Sequence, residues 1–163
     1  MSVDFFPYLP MIREWIFVSI LVFIFWYDLK YMLILDRVTI PAMLVAVMIN
    51  LGVGTISISS MVLGALLVGG FFYAQFSLSK GTWIGGGDIR LGVLMGLMLG
   101  VQQALLATFL AYVLGATISI CLLVLKRVNR KTQIPLGTFL SLSTIITLFW
   151  GHTILSWYLG FFH

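Results

Sequence analysis

Apolar residues in this chain come in runs, separated by short polar or glycine-containing stretches. The runs cover about residues 14–27, 39–50, 60–78, 89–101, 104–125 and 136–158, the fourth being short. Periodicity does not separate strand from helix in runs of this kind. Length does, because about 20 apolar residues in helical conformation match the hydrocarbon thickness of a bilayer. A helix also satisfies its own backbone polar groups, as lipid requires. The expectation is an all-α fold: a polytopic integral membrane protein with about six transmembrane helices, forming a single domain over residues 1–163.

Composition supports that reading. Hydrophobic residues make up 61% of the 163 positions and charged residues 9%, whereas a soluble domain carries roughly a quarter charged residues. The first ten residues lack the basic start and apolar core of a signal peptide, so the first run is expected to be retained as a helix. The single cysteine, Cys121, excludes an internal disulfide and a multi-cysteine zinc site and is expected to pack.

The basic residues set an orientation. Lys30 and Arg37 lie between the first and second runs, and Lys80 and Arg90 flank the link from the third to the fourth. Lys126, Arg127, Arg130 and Lys131 lie between the fifth and sixth. The alternate connections carry no Lys or Arg, and only Arg13 sits on that side. Lys and Arg are retained in cytoplasmic loops, which predicts three cytoplasmic loops and both chain ends outside. The net charge of +4 follows from this pattern and calls for no nucleic-acid partner. The cluster from residue 126 to 131 suits contact with anionic lipid headgroups.

Only five residues are acidic, and Asp4 and Glu14 belong to the external end. Asp28, Asp36 and Asp88 fall on the cytoplasmic side, with Asp28 closing the first run and Asp88 opening the fourth. Carboxylates at this depth tend to mark function. Two that face each other suit peptide hydrolysis, since like charges a few ångström apart favour sharing one proton. One carboxylate then activates water while the other protonates the scissile carbonyl. Structural roles are open to the same residues. Asp88 is a natural helix cap, the run Gly85, Gly86, Gly87 can be a plain turn, and Asp28 can pair with Lys30 or Arg90. Asp36 beside Arg37, ahead of Thr39 and Pro41, suits a solvated helix entry.

Gly92, Gly96 and Gly100 recur every four residues, so they share a helix face and permit close approach of a second helix. The triple glycine is not a phosphate loop, because no Gly-Lys-Ser/Thr follows it. His152 and His163 fall near the external end. Trp15, Trp26, Trp83, Trp150 and Trp157 lie near segment ends and read as interfacial anchors.

Three blocks in order carry a family resemblance. Asp28 through Pro41 is similar to an Asp, six intervening residues, Pro-Asp or Pro-Asn, and a Thr-x-Pro helix entry. Gly85 through Leu91 is similar to Gly-x-Gly-Asp-x-Lys-Leu. Ile134 through Phe139 is similar to an Ile-Pro-Phe-Gly-Pro segment. Together they resemble the peptidase domain of bacterial type IV prepilin peptidases, a branch of the Gly-x-Gly-Asp membrane aspartyl proteases. The resemblance implies Asp28 and Asp88 as the catalytic pair, with Asp36 at a non-catalytic position. Gly85, Gly86, Gly87, Lys30 and Arg90 would shape the site or contact substrate. It implies cleavage of a short basic leader from prepilins or pseudopilins at the cytoplasmic face of the bacterial inner membrane, with no metal and no cofactor. Leu35 stands where the family has Pro, Arg90 where it has Lys, and Thr138 where it has Pro. The sequence does not include the N-terminal domain with paired cysteines that many members carry and that is associated with methylation of the new pilin end, which puts methyl transfer in doubt and leaves two alternatives, a peptidase-only member or a fragment of a longer protein. Tyr27 and Asp28 with the glycine run also resemble presenilin-type proteases, in a much longer chain. The alternative of another class is a membrane transport or assembly subunit using the aspartates as a proton relay. Ionisable groups at the bilayer midplane would mark it, and here they cluster at one face.

Overall fold

A computed structural model describes residues 8–126 and 134–160. They form six helices and, among the described residues, no strand: α1 Leu9–Tyr31, α2 Asp36–Val53, α3 Ile58–Leu78, α4 Gly86–Leu99, α5 Val101–Val124 and α6 Leu136–Gly160. Local chemistry sets the ends. Pro10 lies in the first turn of α1, where a missing N–H costs nothing. The Ser57 hydroxyl caps α3 by accepting from the Ser60 N–H at 3.3 Å. Gly54, at φ +69°, ends α2, and Gly100, at φ +74°, breaks α4 from α5; this left-handed region favours glycine.

All helices except α4 are long and apolar enough to cross a membrane. The chain is a polytopic all-α membrane protein. Its outer surface is apolar, with Leu44, Met48, Leu66, Leu78, Phe109 and Val124 all exposed, as a lipid-facing surface requires. All five tryptophans are exposed too. Cys121 lies exposed on α5, so it does not pack in the interior. The side chain is small and apolar enough for lipid to serve it as well as a core would.

At 14 residues, α4 is about 21 Å long at 1.5 Å per residue, shorter than a hydrocarbon core of about 30 Å. It lies among the other helices, in contact with α2, α3, α5 and α6. Leu91, Leu94, Met95 and Met98 are completely buried. The glycine stripe faces α3. A Cβ on Gly96 would collide with backbone atoms of Gly64 and Ala65, and one on Gly92 would fall 2.6 Å from the Phe72 ring. The far end of α4 leaves carbonyls without helical partners, and buried polar side chains meet them. Asn50 donates its side-chain amide to the Leu97 carbonyl at 2.7 Å, and Arg13 donates to the Met98 carbonyl at 3.2 Å.

Two helices run further than their apolar runs predict. α1 includes Arg13, Asp28 and Lys30, and α2 includes Asp36 and Arg37. These charges do not stop the helices, because distant groups or solvent satisfy them. The basic cluster at Arg127, Arg130 and Lys131, as well as Asp4 and His163, lies outside the described residues.

Candidate active site

The two carboxylates singled out by the sequence lie at the same end of the bundle and line one cavity. Asp28 sits in the last turns of α1, and Asp88 in the first turn of α4. Both are buried and both line one cavity of about 600 Å³. Gly85, Gly86, Gly87 and Arg90 line the same cavity, along with the α1–α2 loop and the start of α2, from Met32 to Arg37.

Each carboxylate is held through one oxygen. Oδ2 of Asp88 accepts the Gly85 N–H at 3.0 Å. Asp88 is not the N-cap expected from the sequence: Gly85 takes that place and Asp88 is the third residue of α4, from where its carboxylate reaches back to the Gly85 N–H, which orients the side chain without removing it from the cavity. Oδ2 of Asp28 accepts two hydrogen bonds from Thr138, one from the backbone N–H at 2.6 Å and one from the hydroxyl at 3.0 Å. Neither Oδ1 makes a hydrogen bond among the described residues.

The close approach depends on small residues. A Cβ on Gly137 would lie 2.8 Å from Oδ2 of Asp28 and 2.7 Å from Cδ1 of Ile34. A Cβ on Gly87 would lie 2.8 Å from Cβ of Ile34. Ile34 therefore wedges between the starts of α4 and α6, and a glycine on each side makes room for it. Of the triple glycine, only Gly87 is required by packing in this way; Gly86 has nothing within 4 Å of its missing Cβ.

Two charged neighbours behave differently from each other. Arg90 pairs with Asp36 at the start of α2, not with Asp28. Asp36 thus takes the helix-entry role and ties α2 to α4. Lys30 is exposed and does not line the cavity; its ammonium lies 5.1 Å from the Tyr31 ring centroid. Among the described residues, no group of three His, Cys, Asp or Glu side chains could hold a metal ion.

Residue-by-residue reading missed Ile34, Gly137 and the contacts of Thr138. Thr138 lies 110 positions from Asp28, and nothing in its local pattern announces an acceptor. Only the Ile134 to Phe139 block marked that stretch.

Comparison with known proteins bears on the same residues. Residues 15–120 match the model of a family described as the type IV leader peptidase family. This range includes both aspartates. A prepilin leader peptidase/N-methyltransferase from Aeromonas hydrophila is 33% identical over 153 residues, covering 91% of this chain and 51% of that protein. One from Legionella pneumophila is 32% identical over 151 residues, covering 90% and 51%. One from Bacillus subtilis (strain 168) is 26% identical over 149 residues, covering 88% and 58%. The chain therefore spans about half the length of the curated relatives it matches. No solved structure matches it.

Proposed function

The chain belongs to the type IV leader peptidase family, and we propose that it is an endopeptidase that removes the short basic leader from prepilins or pseudopilins. Asp28 and Asp88 would do the chemistry as a pair. The observation that carries this reading is their meeting in one cavity from different helices, each gripped through Oδ2. With both Oδ2 atoms engaged as acceptors, the Oδ1 atoms are the oxygens left to share a proton and to hold a water molecule. The ionised partner takes a proton from that water as it attacks the scissile carbonyl carbon. The protonated partner donates to the carbonyl oxygen. Collapse of the tetrahedral intermediate then breaks the C–N bond and passes a proton to the leaving amine. Two carboxylates that share one proton supply both an acid and a base near neutral pH.

The relatives' names include a methyltransferase activity as well as leader cleavage. The two-carboxylate cavity suits hydrolysis, so the peptidase part is the one proposed for this chain. We place the reaction at the cytoplasmic face of the bacterial inner membrane. The support is charge: Lys30, Arg37, Lys80 and Arg90 lie in or beside the connections at the carboxylate end of the bundle, and such residues are retained on the cytoplasmic side. The same rule leaves both chain ends outside. A basic leader would then remain in the cytoplasm while the pilin's apolar helix lies against the protein in the bilayer.

Co-expression with a prepilin substrate, followed by a gel assay for leader loss, tests the pair. Asp28→Asn and Asp88→Asn are each expected to abolish processing, whereas Asp36→Asn retains much of it. Full processing by either of the first two variants would refute the proposed pair.

A further inference from the structure

Asp28 and Asp88 are held by different means. One backbone N–H reaches Asp88, from the turn that precedes its own helix. Asp28 has no such local support, because it lies near the end of α1 and its Oδ2 atom points at the start of α6. There it meets Thr138, the third residue of α6, which supplies both a backbone and a side-chain donor to the same oxygen. Thr138 and Asp28 are both buried, with 5% and 4% of their surface exposed, so water competes little for these bonds.

We infer that Thr138 is a positioning residue, whose two donors fix Oδ2 of Asp28 so that Oδ1 is presented to the shared proton and the attacking water. The inference rests on the two-aspartate reading above and adds to it a group on a third helix. The geometry admits little else. The N–H of a third helical residue has no partner within its own helix, so it is free to serve Asp28. The hydroxyl has an i−4 carbonyl as its usual alternative partner on a helix, but at this position that residue precedes α6. Gly137 keeps the approach open, since any side chain there would fall on the carboxylate and on Ile34. A bond through one donor leaves a carboxylate free to rotate about that contact. Two donors from one residue set its plane as well, and alignment of the reacting atoms governs the rate of the chemical step.

The test is steady-state cleavage of a prepilin by the purified full chain in detergent micelles, with kcat and KM measured separately. Thr138→Ser keeps both donors and is expected to stay within about threefold of wild type. Thr138→Val keeps shape and N–H but loses the hydroxyl. It is expected to lower kcat by about 10- to 100-fold, the usual effect of losing a hydrogen bond to a charged group, with KM little changed. Unfolding of each variant in detergent is followed in parallel. A wild-type kcat in Thr138→Val overturns the inference. So does a loss shared equally by the serine variant, or one that follows unfolding, since either marks a structural role alone. Asp28→Asn is run alongside. If it is inactive while Thr138→Val is normal, only the positioning inference falls; if it is active, the two-aspartate reading falls with it.

Discussion

Replacing Gly96 with alanine puts a single methyl group against the backbone of α3. The new carbon would overlap the amide nitrogen and Cα of Ala65 and the carbonyl carbon of Gly64. None of these atoms can rotate away as a side chain would, so α3 and α4 must separate by on the order of 1 Å to restore ordinary contact. Overpacking of a well-filled interior costs about 1–3 kcal/mol. A backbone collision belongs at the upper end of that range, because separation also loosens Gly92 from Phe72 and Gly100 from Ser60. Against this stands the better helix propensity of alanine, about 1 kcal/mol. The expected net loss is therefore about 2 kcal/mol. Gly70, on α3, is the internal control, since a Cβ there meets nothing within 4 Å. Gly70→Ala should gain up to about 1 kcal/mol, which separates the two variants by about 3 kcal/mol. Reversible unfolding in mixed detergent and SDS micelles measures the difference. Equal stability of the two alanine variants would refute the argument that the α3–α4 contact is set by backbone approach. Gly96→Leu exceeds what the contact can absorb, so a lower yield of folded protein is expected. Because α4 carries Asp88, the protein that does fold should process prepilin more slowly.

Two other substitutions probe the ends of α4. Asn50→Leu removes the donor to the Leu97 carbonyl but also removes the Asn50 Oδ1 atom, which is itself buried without a partner among the described residues. The two effects oppose, so the expected loss in the same unfolding assay is about 1 kcal/mol, the low end for an orphaned buried acceptor; a loss above about 3 kcal/mol would contradict this. Arg90→Gln breaks the pair with Asp36, whose side chains are 43% and 48% exposed. Exposed pairs contribute about 0–1 kcal/mol, so its unfolding midpoint should hardly move, and a shift of several kcal/mol would show that the pair is more than a surface tie.

The number and order of the helices were legible because lipid leaves little choice. A segment that must satisfy its own backbone and meet acyl chains has to be an apolar helix, and its length can be read directly. The glycine spacing of α4 was legible for a similar reason, since four-residue steps mark one face without any knowledge of the partner. What could not be read was everything that depends on the partner. The apolar runs stop short of Asp28, Lys30, Asp36 and Arg37, yet α1 extends to Tyr31 and α2 begins at Asp36. Arg13 is served by a carbonyl 85 positions away, and Asp28 by Thr138, 110 positions away. Asp36 and Arg90 are 54 apart. No local window contains both members of such a pair. Ile34 was missed for another reason. It is an ordinary apolar residue in a loop, and only the two glycines that face it across α4 and α6 reveal its place.

The short length of α4 connects these points. A helix of full membrane span would carry Asp88 to the headgroup level, where water screens it, and would leave its far carbonyls in the opposite headgroup region. At 14 residues α4 cannot reach both headgroup regions, so polar partners within the protein must serve what water does not. At the far end these are Arg13 and Asn50, buried side chains whose donors replace water. At the near end the partners are the Asp88 carboxylate itself, capping through Oδ2, and the cavity beyond it. Capping and chemistry are thus not rival readings of Asp88. The cap uses one oxygen and fixes the side chain, and the carboxylate still lines the cavity that Asp28 lines from α1. The α3–α4 glycine contact then sets the depth at which this happens, because a Cβ on Gly96 would fall on the α3 backbone itself. A change that slides α4 along α3 should therefore impair the carboxylate pair before it unfolds the bundle.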